Sequence, residues 1–393
     1  MLRLLTSTET NLCVIGDADQ AIYGFRGADR EYFLRFQEDY PNAKIIQLNK
    51  NYRSIQAILN ASTQVIAKST DRNPIEIWSE LVSSTKLDIY QAPTDKAEAE
   101  YVVHQIEKMV GGTSYFSLDS GRVDEGDESA ACSFSDFAVL YRISAQSKPL
   151  IEAFQRSGIP FQSAGQIPFF ERQEIQEIIS FLWLIHNPDS NYHRERIATQ
   201  FSQTNLFLLE LIESASTHSV SNLIKNITKF MQENSRESWD DRKSELIKQL
   251  VAKAAPFENR LDEFLRIITL QKETDEFDPR ADRVALMTLH ASKGLEFPVV
   301  FIMGSEENLI PYQREGKGFD LEEERRLFYV GMTRAREKLV LTSAKKRFLF
   351  GKTLQNKTSR FVNDIENTLK ELKKMEYKKP IKEKKEDGQL KLF

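Results

Sequence analysis

The sequence predicts an α/β protein built on a mostly parallel sheet, with an all-helical subdomain inserted into it. Three observations carry that expectation. The runs LDIYQA (87–92), DFAVLYR (136–142), VALMTL (284–289), PVVFIMG (298–304) and KLVLTSA (338–344) are short and apolar, as in strands buried on both faces of a sheet. Stretches of helical periodicity separate several of them, the βαβ pattern that makes a sheet parallel. From about Phe170 to Asp282 the pattern becomes almost wholly helical, and the sheet pattern resumes at Val284.

Composition bounds the function. With 393 residues, 40% hydrophobic and 28% charged, the chain has room for two or more packed units. A net charge of -4 supplies no global basic field, so nucleic-acid binding must come from local patches. Cys13 and Cys132 form no CxxC, and the five histidines form no HxH or HExxH, which argues against a disulfide framework or a structural metal. His186, His193 and His218 have no partner at ligand spacing. No run approaches the roughly 18 apolar residues of a membrane span, and no signal peptide is evident, so a cytoplasmic, reduced protein is expected.

Taken in order, LCVIG (12–16) reads as a strand and GDADQ (16–20) as a turn, which groups Asp17, Asp19 and Gln20 at a strand's carboxyl end. Tyr23, Phe25 and Arg26 follow. They suit base stacking beside a phosphate contact, or form a surface turn whose aromatics tuck into the core. A helix is expected from Asp29 to about Tyr40, stopped by Pro41. KIIQL (44–48) is strand-like, and NKNYRS then enters a helix that Ser54 is placed to cap. Tyr52 can stack on a flat ring. Arg53 can fork onto phosphate oxygens or cap a neighbouring helix.

Further on, Asp95 to about Val110 and 144–158 read as helices, the second ending at Gly158, and IPFQSA (159–164) as a short strand. Residues 111–133 are acidic and Gly/Ser-rich, a long loop. In the helical stretch, Ile175, Ile178, Ile179, Leu182 and Trp183 share one face. Between VALMTL and PVVFIMG sit Thr288, His290, Lys293, Gly294 and Glu296, in a loop at the strand edge where α/β proteins place ligand chemistry. Leu321 to about Arg334 reads as a helix with Arg325, Arg326, Arg334 and Arg336 crowded nearby. Glu322, Glu323 and Glu324 would neutralise some of them as a solvated face. Arg334, just before a buried strand, suits the edge of a cleft, where an arginine can meet a transferring phosphoryl group. From about Leu369 lysine dominates, and a solvated tail is expected.

GDADQAIYGFRGAD, LNKNYRS, TLHASKGLEFPVVF and EEERRLFYVGMTRAREKL occur in that order. They resemble motifs III, IV, V and VI of the UvrD/PcrA/Rep superfamily 1 DNA helicases. The resemblance runs from about Leu2 to Ser343, and GIPFQSAGQIPFFERQEIQEI resembles the start of that family's accessory subdomain. It implies two RecA-like (P-loop NTPase) lobes, with ATP and Mg²⁺ in the cleft and single-stranded DNA across the top. On that basis, 1–42 is a remnant of the first lobe, and 43–169 with 283–368 is the second lobe. Residues 170–282 are the accessory insertion, and 369–393 a disordered tail.

The resemblance also implies roles. Gln20, Arg53 and Arg334 would be catalytic groups at the γ-phosphate, Tyr52 would stack on adenine, and Glu296 would hold the nucleotide sugar. Tyr23, Phe25, Arg26, Thr288 and His290 would line the DNA track, with Phe25 standing where the family commonly has Trp. Tyr312 stands where the family often has His, which weakens one DNA contact. The accessory stretch is short and lacks a GIG-type duplex motif.

The family's GxxGxGK[ST] P-loop and DExxD site do not occur in this sequence, so the Mg²⁺ ligands are not here. The GKT at Gly351–Thr353 lacks a Gly-rich loop and the strand-loop-helix context of a Walker A. The chain starts where the family sequence has just passed motif II. Negligible ATP hydrolysis by the chain alone is therefore expected, with residues 1–42 docked loosely or left as an unpaired edge. A separate chain carrying the first lobe is one possible partner. The terminal QLKLF resembles a sliding-clamp peptide, with Gln389 hydrogen-bonding and Leu390, Leu392 and Phe393 filling an apolar pocket. The expectation is the C-terminal part of an ATP-dependent 3′-to-5′ DNA helicase acting in repair or replication restart. The alternative is a non-catalytic DNA- and clamp-binding fragment.

Overall fold

A computed structural model describes residues 6, 10–69, 76–111, 132–164, 169–199, 201, 204–215, 217–234, 239–270, 277–313 and 319–374. Most of the loop expected at 111–133, the Phe25 side chain and all of QLKLF lie outside them. The chain divides into two compact units, Met1–Ala164 with Phe277–Phe393, and Gly165–Glu276. The insertion thus begins and ends about five residues earlier than the sequence pattern placed it.

The first unit is built on one sheet. Its strands are β1 (Leu87–Thr94), β2 (Phe137–Tyr141), β3 (Phe161–Ala164), β4 (Val284–Thr288), β5 (Phe297–Ile302), β6 (Ala335–Leu349), β7 (Lys352–Leu354) and β8 (Lys370–Lys373). The order is β3-β4-β2-β5-β6-β1-β8, every neighbouring pair is parallel, and β7 folds back antiparallel on the far end of β6. In the middle, Val139 of β2 is in register with Leu286 of β4 and Phe301 of β5. All residues of β2 and β4 are buried, which is why those runs carry no polar alternation.

Helices cover both faces. On one side, α1 (Gln56–Ile66) and α4 (Leu321–Met332) bury Ile58, Val65, Leu327, Phe328 and Val330 against the sheet. On the other, α2 (Asp95–Val110) and α3 (Ser147–Ser157) bury Val102, Ile106, Leu150 and Phe154. Gly158 at φ 72° ends α3 in the left-handed region that a Cβ disfavours. This doubly covered parallel sheet is a RecA-like lobe, as the resemblance implies. The second unit is helical, with Gln173–His186 packed among Val220–Asn234, Asp241–Ala254 and Leu261–Leu270 around its own apolar core. No helix among the described residues is long and apolar enough to cross a membrane.

Several local expectations are corrected. LCVIG and KIIQL form no strand, because neither finds a hydrogen-bonding neighbour, and Ile15 is 89% and Leu48 85% exposed. The helix expected after Asp29 is two short turns, Glu31–Leu34 and Phe36–Asp39, interrupted at Arg35. Ser54 does not cap α1. Its hydroxyl donates to the Ala335 carbonyl at 2.6 Å, and Asn51 Oδ1 accepts the N–H groups of Arg53 and Ser54 instead. Residues 370–373 are not part of a solvated tail but strand β8 at the sheet edge, where Lys373 and Lys338 flank the buried Asp88.

Candidate nucleotide and nucleic-acid site

The site grows from the loop between β4 and β5. Leu289 N–H donates to the Tyr141 carbonyl, and Ser292 N–H to that of Thr288, so the chain turns tightly off the carboxyl edge of the sheet. Thr288 is buried, and its hydroxyl oxygen accepts from Ala291 N–H at 3.2 Å. The turn then presents His290, Lys293 and Glu296.

Glu296 meets the first cluster. Arg53 Nε donates to its carboxylate at 2.6 Å, Arg336 Nη1 lies 3.9 Å from it, and Arg53 Nη1 donates to the Thr333 carbonyl at 3.2 Å. Arg334 lies alongside, nearly buried, with Nε on the Val330 carbonyl and Nη1 on that of Leu295. Burial, then the Arg53 charge, brings the Arg334 guanidinium down to about 10. The hydrogen bond from Arg53 holds the Glu296 carboxyl below its usual range. A buried guanidinium whose charge is disfavoured by a neighbouring one, beside a single carboxylate, is the electrostatic profile of an anion site. Tyr52, adjacent to Arg53, is exposed.

Gln20 sits on the neighbouring 3₁₀ turn Ala18–Gln20, its amide donating to Asp17 at 2.6 Å. The Asp17 charge is close enough to favour the charged form of Arg334, though burial outweighs it. The turn is held by side chains from elsewhere. Lys293 Nζ donates to the Gln20 carbonyl, Arg326 Nε to that of Ala21, and Glu323 accepts from Gly24 N–H, each at 2.8 Å. Ile22 is fully buried in the sheet's core. The stretch from Asp17 to Gly24 is therefore docked firmly rather than loosely, while 12–16 before it stays unpaired and mostly exposed. Arg325 and Arg326 are likewise buried rather than on a solvated face, Arg325 paired with Asp364 at 2.6 Å.

A second cluster surrounds Tyr23. Lys293 Nζ lies 5.2 Å and the Arg26 guanidinium 5.4 Å from its ring centre, and the His290 ring is 6.5 Å away. Burial, followed by the charges of Arg142 and Arg26, pushes the His290 imidazole down to about 3. Arg142, at the end of β2, grips Glu324 with Nε at 3.0 Å and Nη2 at 2.5 Å, and its guanidinium stands 5.2 Å from the Tyr312 ring centre. Glu324 also accepts from Tyr312 N–H at 2.8 Å. Thus Tyr23, Arg26 and His290 come together here, and Arg53, Arg334 and Glu296 at the first cluster. Lys293, which bridges the two, and Arg142 had no role assigned from sequence. Their signal was position, Arg142 directly after a buried strand and Lys293 within the loop that follows one. Among the described residues no group of three or more His, Cys, Asp or Glu is arranged to hold a metal ion. Gly351 lies in the β6–β7 turn, and Lys352 and Thr353 begin strand β7, so this GKT is not a phosphate loop.

The model of the UvrD-like helicase C-terminal domain matches residues 46–234 and 210–346, and that of the UvrD/REP helicase N-terminal domain matches 1–41. The ATP-dependent DNA helicase PcrA of Staphylococcus epidermidis is 35% identical over 433 aligned residues, covering 94% of this chain and 56% of the relative. The PcrA proteins of Leuconostoc citreum and Staphylococcus aureus are each 33% identical over 94% of the chain. The chain spans a little over half the length of these curated relatives. On the C-terminal domain match, which covers most of its length, the chain belongs to the UvrD-like helicase family.

Proposed function

We propose that this chain is the C-terminal part of an ATP-dependent 3′-to-5′ DNA helicase working in DNA repair or replication restart. In this reading Arg53 and Arg334 grip the γ-phosphate of ATP, Gln20 senses it, Tyr52 stacks on adenine and Glu296 holds the sugar. Tyr23, Phe25, Arg26, Thr288 and His290 take single-stranded DNA. The observation that carries the reading is the convergence of Arg53 and Arg334 around Glu296, with Lys293 reaching from that region to the Gln20 carbonyl and the Tyr23 ring. A change at the phosphate then has a short physical route to the strand-binding ring. ATP supplies the phosphoryl group whose loss loosens this grip.

The groups that hold Mg²⁺ and the β-phosphate are proposed to come from a first lobe outside these residues. The test is DNA-stimulated ATP hydrolysis by the purified chain, alone and mixed with a first-lobe fragment of a PcrA relative that carries the P-loop. Negligible turnover alone and restored turnover in the mixture are expected. Robust turnover by the chain alone overturns the reading. The sliding clamp is a second proposed partner, resting on QLKLF alone. Unchanged clamp affinity after deletion of Gln389–Phe393 would remove it.

A further inference from the structure

Residues 76–81 run as a strap beside 49–56. Asn51 N–H donates to the Trp78 carbonyl at 2.7 Å, and Trp78 N–H to the Asn49 carbonyl at 3.0 Å. Further along, Gln56 N–H donates to the Leu81 carbonyl, and Gln56 Oε1 accepts from Ser79 N–H at 2.7 Å. This lacing brings three side chains to one point. The Lys50 ammonium stands 5.1 Å from the Trp78 ring centre and 5.3 Å from that of Tyr52, and is anchored by Glu80 at 2.7 Å. Both rings are nonetheless open to solvent, Tyr52 at 78% and Trp78 at 44%.

An exposed ring that must stack on a base lacks the packing that normally fixes a rotamer. Here a cation shared between two rings supplies the constraint, because an ammonium is attracted to the face of each. Glu80 keeps that cation from swinging away. One face of Tyr52 is then occupied by Lys50, and the other is left for a ligand. Arg53 follows directly, with its guanidinium in the anion cluster, so a base on Tyr52 has its phosphates within reach of that cluster.

We propose that Trp78 is a positioning residue for the nucleotide base: through Lys50 it fixes Tyr52 with one face presented to a purine. This rests on the nucleotide reading above. The test measures binding of ATP and of inorganic tripolyphosphate to the full chain by ligand-observed NMR, which registers weak complexes. Trp78→Ala should weaken ATP roughly five- to tenfold, approaching Tyr52→Ala, because only the stacking term is lost. It should leave tripolyphosphate unchanged. Trp78→Phe should restore most of the ATP affinity, and Lys50→Met should repeat the Trp78→Ala loss without touching the strap's backbone.

If Tyr52→Ala weakens ATP but Trp78→Ala and Lys50→Met do not, the inference falls and the nucleotide reading stands. If Tyr52→Ala has no effect, or the wild type binds no ATP, the nucleotide reading falls and this inference with it. Equal weakening of ATP and tripolyphosphate makes Trp78 merely structural and overturns the inference. So does weakened binding of an oligo-dT strand with ATP unaffected.

Discussion

His290 shows how burial decides what a side chain can do here. With its imidazole pushed down to about 3, it is a neutral hydrogen-bonding ring at neutral pH, not a charge. The unfolded chain takes up a proton at about pH 6.5 while the folded chain does not until about 3. Stability is therefore full above about pH 6.5 and falls as the pH drops through that window. His290→Gln removes the linkage. Its urea midpoint should drop less than that of the wild type between roughly pH 7.5 and pH 4.5, and equal drops would contradict the burial argument. Glu296 gives the opposite case, its carboxyl lowered chiefly by the Arg53 hydrogen bond. Arg53→Ala should return it toward the ordinary carboxylate range, read by NMR titration of the side chain.

Among the elements, α4 carries a tight packing constraint. A Cβ built on Gly331 would lie 2.4 Å from Leu289 Cδ2, and Leu289 is 1% exposed and cannot swing clear. Alanine gains about 1 kcal/mol over glycine in a helix, whereas overpacking a core costs about 1–3 kcal/mol. The second effect should win, and Gly331→Ala should lower stability by about 1 kcal/mol in chemical denaturation. Adding Leu289→Ala should then cost less than Leu289→Ala costs in the wild-type background, because it relieves the clash, and fully additive losses would show that the clash is not the cause. The other constraint is charge. Arg347 is 1% exposed and bonds Glu306 Nε to Oε1 at 2.8 Å and also Glu98, which accepts from Gly304 N–H and Thr342 as well. Arg347→Met leaves two buried carboxylates unpaired and should cost about 3–5 kcal/mol. These elements differed in how well the sequence announced them. Strands β2, β4 and β5 were legible because burial on both faces selects unbroken apolar runs. β8, KELK, was not, because its charges read as solvated, whereas Lys373 pairs with the buried Asp88 and Lys370 donates to the Val362 carbonyl. The charges of α4 misled for the same reason. Glu324, Arg325 and Arg326 find Arg142, Asp364 and the Ala21 carbonyl, contacts that lie far off in the sequence.

At the scale of the whole molecule, the two sequence-predicted strands that did not form mark where apolar surface stays uncovered. A strand is a relation between segments, so LCVIG and KIIQL can have strand composition and still be extended and unpaired. Ile45, Ile46 and Leu48 are exposed at 63%, 71% and 85%, a concentration of apolar surface that a soluble protein normally covers. The clasp on residues 20–24 holds the adjoining stretch in place, so these segments stay near the sheet that supplies the arginines. A first lobe supplied in trans should pair with them. Hydrogen exchange tests this directly. In the chain alone, amides of 12–16 and 44–48 should exchange at nearly unprotected rates, and adding the P-loop fragment should slow them while 20–24 changes little. Ile46→Lys separates docking from folding. An exposed position should shift the chain's own stability by no more than about 0.5 kcal/mol. A charge inserted into an apolar interface should weaken association and lower the restored ATPase together. Protection of these segments before any lobe is added, or restored turnover without it, would show that the exposed strands are not the docking surface.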